Sequence, residues 1–204
     1  VKLIASFTFN GWKEIGDREF YGSSLPYSVT IPEGVTSIGD YAFYYCTNLQ
    51  TVFIPESVQK IGKYAFYGCS SIKFIDLPKN LTEIEDYAFY GCTSLETVTL
   101  PDNLVSIGKY AFYDCYKITE LNIPATVKYV GAFAFTNTTW HHYNTDDFVI
   151  VGDGVLVKVN ASGDVTIPSE VKAIAGGTFD SDFITSIIIP EGITVIDEST
   201  FSGC

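Results

Sequence analysis

Cysteine, histidine and tyrosine are the residue types in this chain whose spacing could do chemistry. Cys46, Cys69, Cys92 and Cys115 recur at a step of 23 residues, and Cys204 holds the same place in the last unit. No C-x-x-C pair or Cys/His cluster accompanies them, so the spacing offers no zinc tetrad. Equivalent Cα atoms on neighbouring turns would lie within disulfide reach, but side chains stacked in one register point the same way. They read as reduced, buried thiols that fill core space; a cysteine nucleophile would need a histidine beside it. The histidines, His141 and His142, stand between Trp140 and Tyr143 and precede Asp146 and Asp147. A metal site or an acid/base pair could be drawn there, yet adjacent residues point apart, and the stretch reads as a polar surface loop. With no glycine-rich phosphate loop, no G-x-S-x-G and no Walker sequence, the chain is expected not to be an enzyme and to use no cofactor or metal.

Tyrosine carries the stronger signal. Tyr41, Tyr64, Tyr87 and Tyr110 form one register and Tyr44, Tyr67, Tyr90 and Tyr113 another, continued by Phe133 and Tyr21. Ala42 and Phe43 between them should face inward, so at least one tyrosine column should face out. Two readings stay open: a recognition surface of large, low-entropy contacts, or rings that shield the edge of the fold.

Charge narrows the partners. Twelve Lys and Arg against 24 Asp and Glu give a net charge of -12, which repels phosphate backbones and anionic headgroups. Nucleic acid is not expected as a partner. The chain is 47% hydrophobic and can bury a core, but polar residues break every apolar stretch well short of the roughly 18 residues that span a bilayer. No membrane insertion of this piece is expected. A start at Val1 and a stop at Cys204, partway through a repeat, read as a piece of a longer protein, with any signal peptide or anchor outside it.

These residues are positioned by a repeat. Pro32, Pro55, Pro78, Pro101 and Pro124 are 23 residues apart, and Pro168 and Pro190 follow at steps of 44 and 22. In the same register run Ile38, Ile61, Ile84, Ile107 and Val130, and then Phe43, Phe66, Phe89, Phe112 and Phe135, with Phe179 and Phe201 later. In one unit, Val98 and Leu100 alternate with Thr97 and Thr99, the signature of a short strand with one buried face. Pro101, which has no N–H to donate, stops it. Leu104 and Ile107, three apart, and then Tyr110-Ala111-Phe112 predict a bend and a single helical or 3₁₀ turn. So small a unit cannot hide its own apolar face; units must stack, with their strands in a parallel sheet.

The expected layout is one solenoid over residues 1–204: a degenerate first turn at 1–28, with Phe9 in the proline place, regular repeats at 29–140, a hairpin insertion at 141–164, and further repeats at 165–204, the last truncated. The hairpin is read from residues 148–151 and 155–159 around Gly152-Asp153-Gly154, and should project from the solenoid between two turns.

The pattern I-P-x-x-V-x-x-I-G-x-x-A-F-x-x-C-x-x-L, as in residues 31–49 and 54–72, resembles the BspA-like, or Treponema-type, leucine-rich repeat. The resemblance implies a β-rich, right-handed leucine-rich-repeat solenoid of the α/β type. It also implies a secreted or surface-attached protein of a bacterium or mucosal protozoan, engaged in adhesion or coaggregation. Family membership does not fix a ligand.

The outward strand positions are Thr51, Phe53, Phe74, Asp76, Thr97, Thr99, Glu120 and Asn122. Phe53 and Phe74 break the polar rule and mark a hot spot for a protein ligand, unless a terminal or inserted segment covers them. The expected ligand surface is therefore Phe53, Phe74, Asp76 and Thr99, together with Tyr44, Tyr67, Tyr90 and Tyr113. The expected function is a non-catalytic extracellular or cell-surface module that adheres to an extracellular-matrix or cell-surface protein. The alternatives are a carbohydrate-binding module whose tyrosines stack on sugar rings, and a structural spacer. Asn80, Asn137 and Asn160 lie in N-x-Ser/Thr sequons, which matter only in a secreted eukaryotic protein.

Overall fold

The computed structural model describes residues 11–179, 183–193, 196–202 and 204; Phe9 lies outside them. The chain winds as a stack of turns that repeat the same four pieces. Up to residue 130 the strands are β1 (Glu14–Ile15), β2 (Ser28–Thr30), β3 (Ser37–Ile38), β4 (Thr51–Phe53), β5 (Lys60–Ile61), β6 (Phe74–Asp76), β7 (Glu83–Ile84), β8 (Thr97–Thr99), β9 (Ser106–Ile107) and β10 (Tyr129–Val130). Helix α1 (Thr139–Tyr143) follows, and then β11 (Phe148–Val151), β12 (Val155–Val159), β13 (Gly163–Thr166), β14 (Ala173–Ile174) and β15 (Ile184–Ile188).

Two sets of parallel strands alternate along the sequence. The two-residue strands β1, β3 and β5 pair in register, Ile15 to Ile38 to Ile61, and β7, β9 and β10 do the same, Ile84 to Ile107 to Val130. The three-residue strands form the outer face, but in pairs: β2 with β4 and β6 with β8, not one continuous sheet. Each proline sits at the bend between the two sets.

Between the second set and the return lies a run of turns, where the sequence predicts a helical turn. At residues 41–46 the N–H groups of Ala42, Tyr44 and Cys46 fold back to the third residue before them, while those of Tyr41, Phe43 and Tyr45 donate to the next turn, at 2.9, 2.7 and 2.7 Å. To alternate in this way the backbone enters the left-handed region at Tyr41, Tyr64, Tyr87, Tyr110 and Phe133, with φ between 54° and 58°. A regular helix has no such residues, so the piece is a curled ladder rather than 3₁₀.

The main core runs from Ile15 along the regular turns, and a second, smaller cluster gathers around Leu156, Ile174 and Phe179. Phe43, Phe66, Phe89 and Phe112 are fully buried and stack face to face, with centroids 5.0, 5.4 and 5.3 Å apart. Burying each such ring is worth roughly 1.5–3 kcal/mol, and no ring is covered without the turn on either side.

The hairpin does not project. Val155 and Leu156 of β12 pair in parallel with Ala173 and Ile174, and Leu156 is fully buried, continuing the row that runs from Ile15 to Val130. Strands β11 and β12 are thus the outer and inner strands of one collapsed turn. The usual bend between them has shrunk to Gly152-Asp153-Gly154, and the Asp153 N–H donates to Val127 O at 2.7 Å. Gly152 has φ 56°, and a Cβ there would collide with the Val127 carbonyl oxygen, so only glycine fits. This turn has no curled segment of its own: Phe133 N–H donates directly to Gly176 O at 3.1 Å. It is a wedge, two strands thick on one side and absent on the other. Its valines are too apolar to stand in water, which is why it sinks into the stack.

Candidate binding surface

The strand face holds the first half of the predicted site. Phe53 and Phe74 are 54% and 44% exposed, and none of the described residues covers them. The register aligns Thr30 with Phe53, Phe74 with Thr97, and Asp76 with Thr99, so Phe53 and Phe74 stand in adjacent rows of the same face. Asp76 Oδ1 accepts a 2.7 Å hydrogen bond from Thr99 Oγ1, which fixes the carboxylate beside the aromatic pair.

The tyrosines lie on the curled run, a different part of each turn from the strand that carries Phe53. Tyr21, Tyr44, Tyr67, Tyr90 and Tyr113 stack at centroid distances of 4.7, 4.8, 4.6 and 5.0 Å. Beside them Tyr41, Tyr64, Tyr87, Tyr110 and Phe133 stack at 4.6, 4.7, 4.9 and 5.2 Å. The separations follow the inter-strand spacing of about 4.8 Å. Interior rings therefore spend both faces on their neighbours and offer edges and hydroxyls only. Sugar recognition by stacking needs a free ring face, which the interior rings of these columns withhold. At the first end Arg18 takes the tyrosine place and lies 5.2 Å from the Tyr41 ring centroid, a cation–π cap. Burial first, and neighbouring phenols second, push the Tyr67 hydroxyl up to about 12.

The cysteines form an internal row. Cys46, Cys69, Cys92 and Cys115 are buried free thiols, whose Sγ donate to the carbonyls of Phe20, Phe43, Phe66 and Phe89 at 3.1, 3.0, 3.3 and 3.2 Å. Burial lifts Cys46 to about 11 and raises the other three as well. None is poised as a nucleophile. Thr138 continues the row, fully buried, with its hydroxyl donating to Phe135 O at 2.8 Å. It also accepts from His141 N–H at 3.0 Å, which starts α1 as an N-cap. The histidines therefore sit on a short helix, not in a loop. Among the described residues no group of three or more His, Cys, Asp or Glu could hold a metal ion.

A cleft that sequence reading did not find lies where the wedge enters. About 460 Å³ in volume, it is lined by Leu121, Asn122 and Ile123 on one wall, residues 148–152 on the other, and Trp140, Asn144 and Asp146 between. The only signal for it was the three-residue turn, too short to span a normal bend.

The repeat pattern matches the BspA-type leucine-rich-repeat region in six copies, over residues 13–141 and 82–204. The chain belongs to the BspA-type leucine-rich-repeat family. Among solved structures, it is similar to a leucine-rich-repeat protein of Treponema pallidum, at 28% identity and a TM-score of 0.60, over 87% of this chain and 75% of that one. It is also similar to a leucine-rich cell surface protein of Faecalibacterium prausnitzii, at 27% identity and a TM-score of 0.51, over 98% of this chain and 72% of that one. No curated protein sequence matches significantly. Among the described residues no helix is long and apolar enough to cross a membrane.

Proposed function

We propose that this leucine-rich-repeat solenoid is a non-catalytic binding module displayed outside the cell, and that it adheres to an extracellular-matrix or cell-surface protein through its strand face. The observation that carries this reading is the exposure of Phe53 and Phe74 beside a fixed Asp76. Two half-exposed aromatics among the polar neighbours Thr30, Thr51, Asp76, Thr97 and Thr99 fit the anchor-and-rim pattern of protein recognition. The similarity to a leucine-rich cell surface protein of Faecalibacterium prausnitzii supports the location.

The test is surface-based binding of the chain to a panel of immobilised extracellular-matrix proteins. Micromolar binding that drops at least tenfold in a Phe53→Ala/Phe74→Ala double variant is expected. No binding at tens of micromolar to any of them, or binding indifferent to the double change, counts against the reading.

A further inference from the structure

We propose that the cleft between residues 121–123 and β11 is a second binding site, which takes an extended, cationic segment of a partner protein as an added strand. The two walls of this cleft are strand edges with free backbone groups. Residues 119–123 occupy the outer-strand place of their turn, yet they make no backbone ladder on either side. Strand β11 is paired to β12 along one edge only; its other edge faces the cleft. Unpaired N–H and C=O groups in extended chain recognise one thing above all, another extended backbone.

The wedge explains why the gap exists. The collapsed turn inserts β11 and β12 where regular turns would close directly, and it has no curled segment on the far side, where Phe133 meets Gly176. The outer strands lack a ladder here as they do between β4 and β6, but at this point the inserted wedge also opens a cleft between them. Natural sheet edges are blunted with charge or proline, whereas β11 reads Phe-Val-Ile-Val and carries neither. Left open, such an edge invites aggregation; paired, it is a strand site.

The side chains state what the segment carries. Leu121 and Val149 are buried beneath the cleft and would meet apolar residues at alternate positions. Asn122, Asn144 and Asp146 stand around it, with Glu120 and Asp147 exposed nearby on a chain of net charge -12. The complementary segment alternates small apolar residues with lysine or arginine. The volume of about 460 Å³ falls in the range of roughly 300–1,000 Å³ that seats small ligands, enough for a few residues of chain.

The probe is the capped pentapeptide Lys-Val-Lys-Val-Lys at millimolar concentration, read by amide hydrogen exchange and amide chemical shifts. Exchange at residues 121–123 and 148–151 should slow at least tenfold with peptide. The same peptide with alternate N-methylated amides, which cannot form a ladder, should give no protection, and Asp146→Asn should weaken binding several-fold. Phe53→Ala/Phe74→Ala should leave it unchanged, so this site stands or falls apart from the strand-face reading. Equal binding by the N-methylated peptide, protection elsewhere only, or shifts with chitotetraose but not with the peptide would overturn the proposal.

Discussion

The Sγ of Cys69 lies 3.0 Å from the carbonyl oxygen of Phe43, 26 residues earlier and one turn back in the stack. The thiol is both a spacer of the right volume and a donor to a carbonyl that the curled backbone leaves partly free. Cys92→Ala should therefore lose a buried sulfur and one hydrogen bond, at a cost of about 1–3 kcal/mol, measured by urea unfolding. Cys92→Ser should recover part of that, because a hydroxyl in the same place can still donate to the Phe66 carbonyl. In the native protein iodoacetamide should label Cys204, which is exposed, and spare the four buried thiols.

Tyr64 has φ 58°, and that reverses an ordinary ranking. In most positions glycine is less stabilising than alanine, but a side chain in the left-handed region costs roughly 1–2 kcal/mol that glycine escapes. Both Tyr64→Ala and Tyr64→Gly lose the stacking with Tyr41 and Tyr87. The glycine variant should nonetheless be the more stable of the two, by about 1 kcal/mol, in chemical denaturation.

The stacking, the core rows and the outer strands were legible in the sequence because identical residues at a constant step must occupy identical places, whereas the inner two-residue strands at Ile38 and Ile61 were not, since so short a ladder leaves no alternation to read. Ile38, Phe43 and Cys46 each name a row by repetition alone. The curled run was not legible, since Tyr-Ala-Phe-Tyr has no glycine to announce the left-handed φ at Tyr64; the inter-turn hydrogen bonds impose it. The fate of the hairpin was hidden for a similar reason. Local pattern showed two strands and a tight turn, but whether they project or intercalate depends on the register of Leu156 with Ile174, a contact between turns. The cleft follows from that register and inherits its obscurity.

Alkaline pH should loosen the stack. The Cys46 thiol is raised to about 11 from an ordinary 9.0, and the Tyr67 hydroxyl to about 12 from 10.0. Both acids hold their proton longer when folded than when unfolded, so their stabilisation is complete below the unfolded values and disappears as pH climbs through the folded ones. The melting temperature should be flat up to about pH 9 and fall from there to about pH 12. Tyrosinate absorbance should lag behind that of the urea-unfolded chain across the same window.

On the strand face, stability and binding should separate. Phe53 and Phe74 are half-exposed, so Phe53→Ala/Phe74→Ala should alter unfolding free energy by no more than about 0.5 kcal/mol per site while removing the aromatic anchor. A matched pair of melting and matrix-binding curves distinguishes loss of a surface from loss of a fold.

Lys158 ties the wedge to the helix beside it. Its Nζ donates to the carbonyls of His141, His142 and Asn144 at 2.7, 3.3 and 3.0 Å, and burial holds its pKa below the usual lysine value. A five-residue helix has no stability of its own, so α1 persists because Thr138 caps its start and Lys158 its end. Lys158→Met keeps the length and apolar stem but removes all three donors. It should cost about 2 kcal/mol, speed amide exchange over residues 139–149, and shift Trp140 emission to the red, leaving exchange in β2, β4, β6 and β8 untouched. If protection at 139–149 stays at the wild-type level, α1 is held by the packing of Trp140 against Phe135 and not by the lysine.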